Sequence, residues 1–186
     1  MNNELINLDR KVKQYKEVLN NTHEYRKIWH ESLKDKITNT LKGVSEEVGL
    51  DAEFECRNDL ENLEAIVMSL GNVRSGMSQE VASNIRRDLI KHNGSLIYQQ
   101  LFNGKILVLI NYPFIENYGQ PQPPKTIAIY RPEELKDPYF VRHIETFMQE
   151  VMMWEDYDDD IEEPNQRIGF KLNFQGMADG APNANG

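Results

Sequence analysis

Apolar residues recur at alternating steps of three and four residues near the start of the chain. They are Leu5, Leu8, Val12, Tyr15 and Leu19. Residues at this spacing share one face of an α-helix, and the repeat is typical of a short coiled coil. We therefore expect this face to pair with another subunit or protein. The alternative is that the same face packs on a sheet of its own chain.

A second helical pattern follows directly. Its apolar residues, again at steps of three and four, are Tyr25, Trp29, Leu33, Ile37, Leu41, Val44 and Val48. Asn21, with Glu24 three residues later, resembles a capping box between the two patterns. The sequence therefore predicts either a helical hairpin or one long helix, which ends at Gly49.

Strand patterns begin at Ala52, where the apolar period changes to two, and they place Cys56 on a buried face. The segment 63–70 is the predicted partner of this first strand. Two apolar runs flank Asn103-Gly104, which predicts a hairpin with a type I′ turn. Further strands are predicted at residues 126–130 and 168–174.

Two helices are predicted in the second half of the chain. Residues 78–92 have a weak helical pattern, with apolar residues four apart. Asp137-Pro138 suits the start of a stronger helix, and His143 is placed on its solvated side. The apolar face of that helix contains Phe140, Ile144, Phe147, Val151 and Trp154.

These elements predict an α+β fold: a mainly antiparallel sheet of about five to six strands, with helices on one face and an N-terminal helical hairpin or long helix. The expected organisation is a helical segment at 1–49 and an α+β core at 50–175 within one compact unit. Residues 176–186 are expected to be a disordered tail.

Seven carboxylates lie close together after the last predicted helix, and they account for most of the net charge of −9. They are Glu155, Asp156, Asp158, Asp159, Asp160, Glu162 and Glu163. A calcium loop would need Gly where Ile161 stands and Glu where Arg167 stands, so no metal site is predicted. The stretch is either a docking segment for a basic partner surface or a solvated connector.

A long loop from Pro113 to Pro124 carries aromatic residues near one end. Loops of this length inside compact domains are often functional. Tyr112, Phe114 and Tyr118 are therefore candidate partner-binding residues. The alternative is a rigid crossover whose aromatic side chains cover the core.

The sequence gives little support for catalysis or a cofactor. Gly71, Gly76 and Ser78 match a phosphate-binding loop, but Met77 replaces its essential lysine. No catalytic residue, cofactor or metal ligand is assigned. With one cysteine, no basic cluster and no signal or membrane segment, we expect a cytoplasmic protein that binds neither nucleic acid nor membrane.

The favoured function is a non-enzymatic protein-interaction module, such as an adaptor, chaperone or assembly component, which forms homo-oligomers through its N-terminal helices. The alternative is a small-ligand site or enzyme in a curved antiparallel sheet. The order of elements is loosely similar to nuclear-transport-factor-2-like cones and to small acidic chaperones of bacterial secretion systems. No motif accompanies either similarity.

Overall fold

A continuous helical rod forms the first part of the chain in the computed structural model, which describes residues 3–157 apart from residue 83. Helix α1 (Asn3–Ile28) continues through a π-helical turn (Trp29–Leu33) into helix α2 (Lys34–Val48). Gly49 follows with a φ of 65°, a left-handed conformation that glycine adopts without steric cost. Of the two predicted arrangements, the structure therefore has the single long helix.

The π turn lies where buried residues follow one another at four-residue steps. Trp29, Leu33, Ile37 and Leu41 are all buried. Successive four-residue steps overshoot the 3.6-residue period of an α-helix, whereas a π turn contains more residues. The wider turn keeps these four side chains on one face of the rod.

Eight strands, a short 3₁₀ turn and a final helix follow the rod. The strands are β1 (Glu53–Arg57), β2 (Ala65–Ser69), β3 (Asn72–Ala82), β4 (Ile85–His92), β5 (Ser95–Gln100), β6 (Ile106–Asn111), β7 (Phe114–Ile115) and β8 (Lys125–Tyr130). The 3₁₀ turn is Pro132–Glu134 and the final helix is α3 (Asp137–Glu155). These elements confirm the predicted pairing of the strand that begins near Ala52 with the segment 63–70. They also confirm the predicted strand at 126–130 and the predicted helix beginning at Asp137.

The strands form two antiparallel sheets. The main sheet has the order β1-β2-β5-β6-β8, and a smaller sheet has the order β3-β4-β7. β3 and β4 extend the paired strands β2 and β5 into one long, bent hairpin. Gly71 and Gly94 lie at the bend with positive φ angles, where the amide of Asn93 donates to the carbonyl of Gly71 at 3.0 Å.

The predicted helix at residues 78–92 is wrong. These residues form the outer part of the long hairpin, with Ser78 opposite Asp88 and Asn84 in the turn at a φ of 68°. Val81, Ile85 and Leu89 are four residues apart, and four is a multiple of the strand period as well as close to one helical turn. Their spacing was therefore compatible with both structures.

The predicted hairpin at Asn103-Gly104 is confirmed, but its predicted turn type is wrong. Only Gly104 has a positive φ, and the amide of Leu101 donates to the carbonyl of Lys105 at 2.8 Å. Three residues thus form the loop, as in a type I turn followed by a left-handed residue. The Oδ1 atom of Asn103 accepts a bond from the amide of Lys105 at 3.1 Å, which stabilises this form.

The core lies between the helices and one face of the main sheet, so the predicted α+β fold is confirmed. The buried side chains of this cluster are Trp29, Leu33, Ile37, Leu41, Ile66, Met68, Leu96, Tyr98, Ile106, Val108, Ile110, Leu135, Phe140, Ile144, Phe147 and Val151. The strand predicted at 168–174 and the tail at 176–186 lie outside the described residues.

Two predicted burial states are wrong. His143 is only 3% exposed, because it lies three residues after Phe140 and four before Phe147 on the apolar face of α3. Cys56 is exposed, because β1 is the edge strand of the main sheet and none of the described residues forms a strand on its outer side.

Candidate interaction surface

The five residues predicted to pair, Leu5, Leu8, Val12, Tyr15 and Leu19, form an exposed stripe along α1, here called the seam. They remain between 42% and 63% exposed. Every residue from 5 to 20 is exposed, so no part of the described chain covers this stretch of helix. The alternative, packing on the chain's own sheet, is not seen among the described residues.

The seven-residue repeat of the seam continues into the body of the protein. Thr22 and Trp29 follow Tyr15 at seven-residue steps, and Trp29 is fully buried. At Thr22 the tip of the β5–β6 hairpin reaches the helix: a Cβ atom on Gly104 would lie 2.6 Å from Cβ of Tyr25 and 3.1 Å from the carbonyl oxygen of Thr22. The chain therefore covers this stripe from Thr22 onward and leaves it exposed before that point.

An exposed aromatic residue lies beside the point where the seam ends. The Nη2 atom of Arg26 donates to the carbonyl oxygen of Phe102 at 2.5 Å, which fixes the hairpin tip against α1. The ring of Phe102 is 73% exposed. The hairpin tip thus presents an exposed apolar side chain where the covered part of the stripe begins.

Tyr112 of the predicted partner-binding loop connects the loop to α3. Its hydroxyl donates to Oε2 of Glu150 at 2.6 Å, and Nζ of Lys125 donates to Oε1 of the same carboxylate at 2.5 Å. Burial and the bond to Glu150 raise the pKa of Tyr112. Burial alone would raise the pKa of Glu150, but the bonds from Lys125 and Tyr112 lower it below its usual range.

Phe114 also contacts its own chain. Its ring stacks on His92, with ring centroids 4.3 Å apart and an interplanar angle of 13°. The Nε2 atom of His92 lies 3.2 Å from Oε1 of Glu116. The backbone amide of Tyr118 donates to the carbonyl of Ile115 at 3.2 Å. These contacts give the loop a defined shape, and partner binding by its aromatic residues stays a prediction.

The first acidic residue of the carboxylate stretch is paired within the chain. Nζ of Lys91 donates to Oε1 of Glu155 at 2.5 Å and lies 5.6 Å from the ring centroid of Trp154. A cation at this position offsets the unfavourable meeting of carboxylates with the negative end of the α3 dipole. Asp156 follows the last helical residue. The other predicted docking residues, Asp158, Asp159, Asp160, Glu162 and Glu163, lie outside the described residues.

An open pocket of about 460 Å³ lies on the face of the main sheet opposite the helices. Polar side chains line much of it, including Glu53, Glu55, Arg57, Ser69, His92 and Asn111. Glu55 accepts a bond from Nε of Arg57 at 3.0 Å, so part of its charge is balanced. The pocket is a shallow polar hollow and lies apart from the filled core.

The buried carboxylate of Glu64 holds the rod against the sheet. The sequence patterns did not indicate this contact. Oε2 of Glu64 accepts bonds from Nε1 of Trp29 at 3.1 Å and from Nζ of Lys34 at 3.0 Å. Burial would raise the pKa of Glu64, but these two bonds lower it. The bond to Glu64 raises the pKa of Lys34. An acidic residue directly before the apolar run of β2 was the only available signal.

The segment that resembles a phosphate-binding loop lies on an extended strand. Gly76 and Ser78 lie inside β3, and Arg74 pairs with Asp88 at 3.4 Å, so this segment is a strand that precedes no helix.

Within residues 3–157, no group of three His, Cys, Asp or Glu side chains is placed to hold a metal ion. No helix in that range is both long and apolar enough to cross a bilayer.

Comparisons with known proteins provide no family for this chain. No protein-family model, no curated protein and no solved structure matches it. The loose similarities in element order to the nuclear-transport-factor-2-like cones and to the secretion chaperones are therefore not supported by any matching protein. The function is inferred from the surface of the molecule.

Proposed function

We propose that this chain is a non-enzymatic assembly module whose projecting N-terminal helix binds the same helix of a second copy. The observation that carries this proposal is the exposed seam on a helix that no described residue covers. Helices in proteins gain most of their stability by packing an apolar face, and the exposed stretch of α1 packs its apolar face on no described residue. A partner helix would bury that face.

The contrast between seam and core supports an interaction module rather than an enzyme. The helical side of the main sheet is filled with buried apolar side chains from the rod, the sheet and α3. Seven large apolar residues stay exposed between residues 5 and 19 of α1, and clustered apolar surface of this kind is typical of interaction sites. A cytoplasmic location, suggested by the single cysteine, belongs to the same proposal.

Sedimentation analysis over a wide range of protein concentrations tests self-assembly. We expect the full chain to form dimers and the double variant Leu8→Lys/Val12→Lys to remain monomeric, because burying two ammonium groups in the seam is unfavourable. Val48→Lys is the matched control, since Val48 is 67% exposed and lies at the far end of the rod. A wild-type chain that stays monomeric at every concentration would refute the proposal.

The acidic stretch is the basis of a further part of this function. A partner with a basic surface would be attracted to the carboxylates from Asp156 onward, since Lys91 already pairs with Glu155. Replacing the six carboxylates from Asp156 to Glu163 by Asn and Gln should abolish recovery of such a partner from the native host. Unchanged recovery would leave the stretch as a connector.

A second candidate is a small polar ligand in the pocket opposite the helices. The polar lining supports it, and Glu53 adds a carboxylate that the described residues leave without an ion pair to Lys or Arg. We expect small cationic compounds to raise the melting temperature of the wild-type chain but not that of Glu53→Gln. Equal shifts in both proteins would exclude this site.

A further inference from the structure

The seam also indicates how the two helices are oriented. On the basis of the self-assembly proposed above, we infer that two copies pair their N-terminal helices antiparallel, with Val12 opposite Tyr15 of the partner subunit. Leu8 then lies opposite the partner's Leu19, and each contact occurs twice because of the two-fold symmetry.

The position of the protein body excludes a parallel pair. From Thr22 onward the stripe that continues the seam is covered by the hairpin tip at Gly104, and Trp29 is buried in the core. In a parallel pair the second helix and its body would have to occupy that same side. In an antiparallel pair the two bodies lie at opposite ends, and the second helix ends near the hairpin tip.

The charges that flank the seam favour the same orientation. In a seven-residue repeat with Leu5, Val12 and Leu19 at the first position, Asp9 and Lys16 flank one side of the seam and Lys11 flanks the other. A parallel pair brings Lys11 beside Lys16 of the partner subunit, which is repulsive. In an antiparallel pair, the side of the seam that carries Asp9 and Lys16 faces the same side of the partner helix. Asp9 therefore lies beside the partner's Lys16.

Asp9 is available for this second contact. Its Oδ2 atom lies 2.8 Å from Nζ of Lys13 on the same helix, and both side chains are largely exposed. Such exposed pairs contribute little, and a carboxylate accepts several hydrogen bonds. The pair with Lys13 therefore does not prevent Asp9 from contacting Lys16 of the partner subunit.

The charges also select the register. If Val12 lay opposite Leu8 of the partner subunit instead, Asp9 would lie near the partner's Asp9, and Leu19 would extend past the described start of the partner helix. With Val12 opposite the partner's Tyr15, Leu8 and Leu19 are both covered. Leu5 then reaches Thr22 of the partner subunit, where the hairpin tip closes the stripe.

Disulfide trapping in a Cys56→Ser background tests the orientation. Leu8→Cys and Leu19→Cys are prepared as separate proteins, one of them with an added tag so that the mixed dimer has its own size. After subunit exchange and mild oxidation we expect the mixed disulfide. Neither protein should cross-link alone, because residues 8 and 19 are about 16 Å apart along a helix and a disulfide spans less than about 7 Å between Cα atoms.

The trapping experiment distinguishes a wrong helix orientation from a failure of self-assembly. Cross-linking of Leu8→Cys with itself, without the mixed product, would show a parallel pair and overturn the inference while leaving self-assembly intact. A wild-type chain without dimers in sedimentation would instead refute the proposed function.

Charge reversal provides a second test with opposite signs for the two orientations. In the antiparallel pair, Lys16→Asp places two carboxylates together at each end, so we expect about threefold to tenfold weaker dimerisation. Asp9→Lys/Lys16→Asp should restore it. A parallel pair predicts the reverse, because Lys16→Asp would remove the repulsion from Lys11. Lys13→Glu is the matched control: it breaks the ion pair of Asp9 within the helix and leaves the flanks of the seam unchanged.

Discussion

The hydroxyl oxygen of Tyr98 lies 2.9 Å from Nδ1 of His143 in the core. The other ring nitrogen, Nε2, lies 3.0 Å from the hydroxyl oxygen of Tyr130. A neutral imidazole has one donor and one acceptor nitrogen, so one tyrosine donates to the ring and the other accepts from it. Protonation of His143 would turn the accepting nitrogen into a donor and break this arrangement.

Stability should therefore fall in mild acid because of His143. Burial lowers the pKa of His143 from about 6.5 to about 4. A group with a depressed pKa of this kind is protonated first in the unfolded chain, so its contribution is complete above pH 6.5 and is lost as the pH falls toward 4. The expected loss in the free energy of unfolding is about 3 kcal/mol, measured by urea denaturation at a series of pH values.

His143→Gln is the variant that isolates this effect. Its absolute stability will be lower, but the slope of stability against pH between 6.5 and about 4.5 should be much smaller. Buried carboxylates with lowered pKa values, such as Glu64, lose their contribution only at lower pH. An unchanged slope in His143→Gln would show that another group titrates in this window.

Gly104 should tolerate substitution much less than another glycine with a similar backbone conformation. A Cβ atom at Gly104 would lie 2.6 Å from Cβ of Tyr25, so either the hairpin tip or α1 would have to move. At Gly49, which has a φ of +65°, the same atom would meet nothing within 4 Å. We expect Gly49→Ala to cost about 1 kcal/mol of folding free energy and Gly104→Ala at least about 1 kcal/mol more. Equal costs would contradict the close contact.

The carboxylate of Glu64 should be needed as a hydrogen-bond acceptor as well as for its charge. Glu64→Gln retains an oxygen for Nε1 of Trp29 and weakens only the interaction with Lys34, at an expected cost of about 1 kcal/mol. Glu64→Ala leaves the buried indole N–H of Trp29 without its acceptor and should cost about 3 kcal/mol. Chemical denaturation of both variants measures the difference. Equal losses would reduce the role of Glu64 to its charge.

Lys91 should stabilise the C-terminal end of α3. Lys91→Met retains most of the apolar stem but removes the ion pair with Glu155 and the cation near Trp154, so we expect a loss of about 1 kcal/mol. Added salt should reduce the difference from wild type, because Glu155 is 42% exposed and dissolved ions screen a partly exposed pair. Lys13→Met is the control, since its ion pair with Asp9 is largely exposed. A salt-independent loss would indicate that packing is responsible.

The sequence by itself determined the elements whose signals are local. The steps of three and four residues specified the rod and α3, the period of two specified β1, and Asn103-Gly104 specified the hairpin. It also identified the seam, because five apolar side chains repeat over fifteen positions in a helix with few other apolar residues. These features depend on neighbours that are a few residues apart along the chain.

Only the tertiary structure decided which side of each element is covered. His143 and Cys56 were placed on the wrong side because burial depends on what packs against α3 and β1. Residues 78–92 became strands because pairing between β3 and β4 satisfies their backbone groups, although a four-residue spacing also suits a helix. The same reason explains the seam: its seven-residue spacing continues to Thr22 and Trp29, and the position of the hairpin tip decides which part stays open for a partner.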